Sequence, residues 1–324
     1  MIYFLLALLL PLSISVEASD AGFDKVVIWG HKLHTHTHSY IHYAFYKAFK
    51  AKGYETYWFD DQDCVDEFDF SRSLFLTEGQ VDKNIPLRGD CMYILHNCDS
   101  PKYRETIEKR NRFALQVYTD SVLKEKSAIK MAPCIYEDSI NHCLYMPWAS
   151  DLLPEEIEEN KKIAYFLPSE KCSYWIGTIG EGYYGNIEEI APFKRACSEE
   201  DVMFIHKMPG TVNAEDSIRL IQESYIAPAV VGTWQKEVGY IPCRIFKNIS
   251  YGKMGVTNSY RVYELFEKKI IYNDDPYQLL FDAKEILSSQ SPEKVVDLMD
   301  FVKEKHTYLN RVDTLLNFFK RIRE

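Results

Sequence analysis

Residues 239–259 read Gly239-Tyr240-Ile241-Pro242-Cys243-Arg244-Ile245-Phe246-Lys247-Asn248-Ile249-Ser250-Tyr251-Gly252-Lys253-Met254-Gly255-Val256-Thr257-Asn258-Ser259. A helix is expected to begin just after Pro242, which suits a first turn because its missing N–H would be unpaired there anyway. It runs over Arg244–Tyr251 and stops at Gly252. Arg244, Lys247 and Asn248 recur at i, i+3 and i+4 and therefore share one face. Ile245, Phe246 and Ile249 occupy another face and anchor it. Near the helix start, the Arg244 guanidinium can fork onto phosphate oxygens, and the dipole favours the same anion. A solvated basic face is the plain alternative. The proline-capped start, and the pair Asn258-Ser259 ending the short strand Gly255–Thr257, favour an anion site.

Outward from this block, strands and helices alternate. Ser173–Gly177 reads as a strand opening into the glycine-rich loop Gly177–Gly182, followed by a helix over Asn186–Cys197 and a strand over Val202–His206. A helix over Asn213–Ser224, an apolar strand Tyr225–Val231, a helix Tyr260–Glu267 and a strand Ile270–Tyr272 continue the pattern. Helices over Pro276–Ser288 and Pro292–Lys320 close the chain. Earlier, Lys25–Trp29, a helix over Tyr40–Lys52 and Glu55–Phe59 make one βαβ unit. Ser73–Thr77, Cys91–Leu95, Phe113–Tyr118, Lys130–Ala132 and Leu144–Tyr145 are further strands. Between the halves, Met146–Ile157 carries two prolines and enters an acidic run, as a surface joint would. The expected class is α/β, with two Rossmann-like domains facing a cleft: residues 19–150 and 151–324, the last helix crossing back. Ligands of such sheets sit beyond the carboxyl ends of the strands.

Charge and composition narrow the partners. At −10, the net charge argues against a nucleic-acid partner, which needs a basic footprint. Hydrophobic residues at 46% and charged residues at 27% fit a folded globular chain, not a disordered one. Residues 2–16 form an apolar run without charge, and Val16-Glu17-Ala18 offers a small-x-small cleavage pattern. Residues 1–18 are therefore expected to be a signal peptide or anchor, giving an exported or membrane-anchored protein; any membrane association would use only this segment. None of the eight cysteines has CxxC spacing, so no disulfide or metal pattern follows from them.

The 239–259 block resembles the C-terminal donor-binding segment of GT-B glycosyltransferases, and among them fucosyltransferase-like members. In those, a helix with a basic residue precedes a Tyr-Gly turn and a short strand. Aligned on Tyr251-Gly252, Arg244 falls on the family's phosphate-binding lysine. Cys243 stands where many fucosyltransferases have an acidic residue, which leaves the sugar open. The Met146–Ile157 joint and the strand end Trp175–Thr178 are similar to the interdomain region and second-domain entry of these enzymes. The resemblance spans about residues 25–275, most strongly 144–272. It implies transfer of a sugar from a nucleoside diphosphate, GDP or UDP, to a glycan or other hydroxyl acceptor, without a catalytic metal or other cofactor.

On that reading Arg244, Lys247 and Asn248 bind the diphosphate, and Gly177, Thr178, Asn258 and Ser259 help to fix nucleotide or sugar. His206 and Trp234-Gln235 border the nucleotide. The acceptor side offers a loop crowded with His31, His34, His36, His38 and His42. No cysteine or acidic residue nearby completes tetrahedral ligation, so no metal is expected. A neutral imidazole can instead take the acceptor proton, with His34, His36 and His38 as candidates. Glu78 and Asp120, each following a strand, are rival bases. Two other readings fit the same alternation. A two-Rossmann sugar-nucleotide epimerase would isomerise its substrate without releasing nucleotide. A periplasmic-binding-protein-like module would hold a free sugar with no affinity for nucleotides.

Overall fold

The computed structural model describes residues 22–32, 37–79, 82–96, 100–119, 128–164, 167–168, 170–208 and 210–324. The apolar N-terminal segment lies outside these. No helix among the described residues is long and apolar enough to cross a membrane.

The first lobe is built on β1 (Lys25–Trp29), β2 (Glu55–Phe59), β3 (Ser73–Thr77), β4 (Met92–His96), β5 (Arg112–Gln116), β6 (Ala128–Ala132), β7 (Ile135–Asp138) and β8 (Cys143–Tyr145). They form one eight-stranded sheet in the order β2-β1-β3-β4-β5-β8-β7-β6. Pairing is parallel from β2 through β8, and the β6–β7 hairpin adds to β8 antiparallel. Central strands such as β3 and β4 are buried along their whole length, which is why they read as unbroken apolar runs. β7 escaped the sequence reading because Glu137 and Asp138 suggest a loop. Their charges are instead satisfied, Glu137 by Arg321 and Asp138 by Asn141. One face of the sheet is covered by α1 (Thr37–Ala51), through Ile41, Ala44, Phe45, Ala48 and Phe49. α2 (Pro101–Thr106) follows β4.

The second lobe carries α3 (Pro154–Asn160), β9 (Cys172–Ile176), α4 (Ile187–Glu199), β10 (Met203–Lys207), α5 (Ala214–Gln222), β11 (Pro228–Ala229) and α6 (Thr233–Glu237). It continues with α7 (Cys243–Ser250), β12 (Val256–Thr257), α8 (Tyr260–Leu265), β13 (Ile271–Tyr272), α9 (Pro276–Ser289) and α10 (Pro292–Lys305). The strands pair in parallel as β10-β9 and β11-β12-β13. Two hydrogen bonds join the groups: Tyr225 N–H donates to Cys172 O at 2.7 Å, and Ser173 Oγ to Ile226 O at 2.9 Å. The strand expected over Tyr225–Val231 shrinks to Pro228–Ala229, because the groups of Val231 bond the Asn258 side chain instead of a strand. The expected α/β class, two such lobes about a cleft, is the observed one.

The helix expected over Pro292–Lys320 is two helices. It breaks at His306-Thr307, where Asn310 Oδ1 accepts from Thr307 N and Oγ1 and so starts α11 (Tyr308–Arg323). α11 returns to the first lobe: Tyr308 packs edge-on against Phe45, and Phe318 and Phe319 pack on Phe113. Arg311, 1% exposed, locks the crossing by donating to Pro147 O, Trp148 O and Lys305 O at 2.9–3.2 Å. Ser150 N–H donates to His306 O at 2.9 Å, so the outgoing and returning strands of chain lie side by side.

Candidate functional site

A cavity of about 440 Å³ opens between the lobes, within the range of small-molecule sites. His38, Tyr40 and Ile41 of α1 line it from the first lobe. Trp175 to Thr178, Gln235, Tyr240 and the start of α7 line it from the second, with Ala149, Asp151 and Tyr308 at the junction.

α7 decides the chemistry of the second wall. Ile245, Phe246 and Ile249 are fully buried and seat the helix. That orientation turns Arg244, Lys247 and Asn248 toward the cavity. The Arg244 guanidinium lies over Trp175, its carbon 3.6 Å from the ring centre, and Nη2 donates to Ile176 O at 2.6 Å. No carboxylate pairs with it among the described residues. Burial accordingly pulls its pKa below the usual arginine value. Gly177, at φ +136°, makes room: a Cβ there would meet Arg244 Nη2 at 2.8 Å. Pro242 leaves the first turn of α7 without a side-chain cap, so its amides and dipole favour an anion at the same place.

Lys247 is already engaged. Its ammonium lies 3.6 Å from Asp151 Oδ2 and 4.1 Å from the centre of the Tyr40 ring on the opposite lobe. Arg244 and Lys247 against Asp151 leave one uncompensated positive charge on this wall. Two further polar atoms, Trp175 Nε1 and Asp151 Oδ1, have no partner among the described residues, and both belong to residues that line the cavity. Neither had been singled out from the sequence. Their signal was position, at a strand end and at the joint, rather than residue type.

The other expected donor residues divide. Thr178 and Gln235 line the cavity, although Gln235 Oε1 also accepts from Gly232 N–H. Asn248 Nδ2 donates to Ala227 O at 2.9 Å and is buried, so its amide braces the segment leading into β11. Asn258 spends both amide atoms on the backbone of Val231, at 2.8 and 3.0 Å. Ser259 is buried beside it and its N–H bonds Thr257 Oγ1. These two shape the wall and do not reach the cavity. His206 is exposed and bonds Gly177 O at 2.8 Å, away from the lining. The loop Gly177–Gly182 does not feed phosphate to α4, since Asn186 and Ile187 N–H both donate to Gly180 O.

The first wall gathers four imidazoles. Strand order places Gly30-His31 after β1, Glu78 after β3 and His96 at the end of β4, three neighbouring strand ends. α1 adds His38 and His42 one turn apart. His31 Nε2 lies 3.2 Å from Glu78 Oε2, and the His31 and His38 rings are 5.1 Å apart. His42 Nδ1 must donate to Gly30 O at 2.7 Å, so its Nε2 accepts from His96 Nε2 at 2.7 Å. His96 Nδ1 is then a buried lone pair with no partner among the described residues. Burial drives His42 down to about 3 and His96 well below the usual histidine value, so both stay neutral. His38 is also lowered by burial, partly offset by the Glu78 charge. Of the expected bases, His38 lines the cavity and Glu78 stands behind it; His34, His36 and Asp120 lie outside the described residues. The premise against a metal fails in space: Glu78, 47 residues from His31, supplies the carboxylate that the histidine loop lacks.

No family model matches the chain, and no curated protein matches it. Among solved structures, an alpha-glucosyltransferase (AGT) in complex with UDP shares the fold, with a TM-score of 0.58 at 9% identity. The match covers 91% of this chain and 98% of that one. At that identity the likeness establishes the architecture: two Rossmann-like lobes facing a cleft, the GT-B arrangement.

Proposed function

We propose that this protein is a glycosyltransferase that takes a sugar from a nucleoside diphosphate bound on the second-lobe wall. The observation that carries this reading is Arg244, a cation held in the cleft wall with no carboxylate partner among the described residues, at an uncapped helix start. A diphosphate supplies the missing charge, and it leaves as an anion that Arg244 and the α7 amides stabilise more strongly than the intact donor. Trp175 Nε1 and Asp151 Oδ1 offer one donor and one acceptor to ribose or sugar hydroxyls. The acceptor hydroxyl enters from the first-lobe side, where His38 brings the histidine–carboxylate cluster to the cavity. UDP is the first nucleotide to test, because the solved glucosyltransferase of the same fold holds it. A fucosyl donor carried on GDP is the finer alternative suggested by the 239–259 block.

Trp175 reports on this site directly, since Arg244 lies on its ring. Titration of UDP, GDP, CMP and dTDP is expected to change tryptophan emission saturably for one of the diphosphates. A Trp175→Phe variant should lose most of that response. Absence of binding by every nucleotide, with tight binding of a free sugar, would replace the transferase by a sugar-binding module.

A further inference from the structure

We propose that His31, His38 and Glu78 form a site for one divalent transition-metal ion of the zinc type, with its open coordination position toward the cleft. One ligand atom from each of the three residues lies within 4.8 Å of the others. Ligands at tetrahedral zinc stand about 3.3 Å apart, given metal–nitrogen bonds of about 2.0 Å. His31 Nε2 and Glu78 Oε2, at 3.2 Å, already have that spacing. His38, in the first turn of α1, supplies the third ligand atom.

The surroundings fit a cation better than a bare imidazole cluster. His31 is held at φ +58°, a conformation that costs a non-glycine residue energy and fixes where its ring points. Asp82, 7% exposed, accepts from His31 N–H at 2.8 Å and has no basic partner among the described residues. Glu78 within the set and Asp82 beside it are two buried carboxylates, whose charge a divalent ion neutralises. Two imidazoles and one carboxylate favour zinc-type ions over magnesium or calcium, which prefer oxygen ligands. Three protein ligands leave room for water or a substrate hydroxyl, and His38 lies on the cavity wall. A hydroxyl bound there would lose its proton more readily. The site stands whether or not the second wall binds a nucleotide, because none of its ligands belongs to that wall.

Cobalt(II), whose ligand-field absorption reports coordination, is the probe. The full chain, stripped with chelator, is expected to take up one Co²⁺ with visible absorption that Zn²⁺ abolishes. His38→Ala should weaken Co²⁺ binding by about 100-fold or more, beyond the usual loss of an outer-shell partner. Glu78→Gln should act in the same direction, whereas His142→Ala, just before β8 at the opposite strand ends, should change nothing. If Glu78→Gln does not fold, His38→Ala decides alone, since its side chain is only half-buried. No visible absorption in the wild type, or unchanged affinity in His38→Ala, overturns the site. Nucleotide titration of the same samples separates this outcome from failure of the transferase reading.

Discussion

The second-lobe wall takes Arg244, Lys247 and Asn248 from one eight-residue helix, whereas the first-lobe wall collects His31, His38, Glu78 and His96 from three strand ends and a helix. The helix wall is electrostatically open, with a buried cation lacking a counter-charge among the described residues. In the strand-end wall His42 is bonded to His96 and to Gly30, while His38 faces the cavity. On the proposed reading, an anion binds one wall by charge and meets a histidine–carboxylate cluster on the other. Only the first kind of wall can be read from a contiguous stretch of sequence.

Four perturbations separate the walls, and the largest tests what holds them facing each other. Arg311→Ala strips three carbonyls at the lobe junction of their donor, and should cost about 4 kcal/mol in urea unfolding. A loss below about 1 kcal/mol would mean that the crossing is held by packing alone. Next comes acid. An unfolded histidine titrates near 6.5, but His42 in the fold does so near 3. The stability that its neutrality contributes is complete above about pH 6.5 and is lost as pH falls toward 3. His96 shifts in the same direction. Lowering pH from 7.5 to 5.5 should therefore cost about 1.4 kcal/mol through His42, with His96 adding in the same direction, and His42→Gln should flatten that slope. An unchanged slope would show that the first wall is not the acid-sensitive one.

Asn258→Ala leaves the N–H and C=O of Val231 unpaired and should cost about 2 kcal/mol of stability with little direct change in nucleotide affinity. Weaker UDP binding at unchanged stability would move Asn258 from bracing the wall into the site. The smallest effect belongs to Lys247→Met. Asp151 already takes much of that charge, so diphosphate affinity should fall by about 1 kcal/mol. A loss equal to that of Arg244→Ala would mean that the Lys247–Asp151 pair opens on binding.

Much of the fold was legible because parallel strands buried on both faces write themselves as apolar runs, as in Leu74–Leu76. β7 was hidden because its acidic residues find partners only in the tertiary structure. The break at Thr307 was signalled by a Thr-x-x-Asn cap that the long apolar periodicity overrode. In the site, i, i+3, i+4 spacing located Arg244 and Lys247, but it could not tell that Asn248 faces Ala227. Glu78 and His96 meet the histidine loop only through the β1-β3-β4 order, which no local pattern contains.

Calorimetric titration of UDP into the wild type and Arg244→Ala tests the central claim most directly. Because Arg244 gives the fold one hydrogen bond and a stacking contact, the variant should stay folded. Its UDP affinity should fall by about 1.5–3 kcal/mol, the worth of a charged hydrogen bond. Equal affinity in the two proteins would contradict the account, because the buried cation would then have no anion to bind.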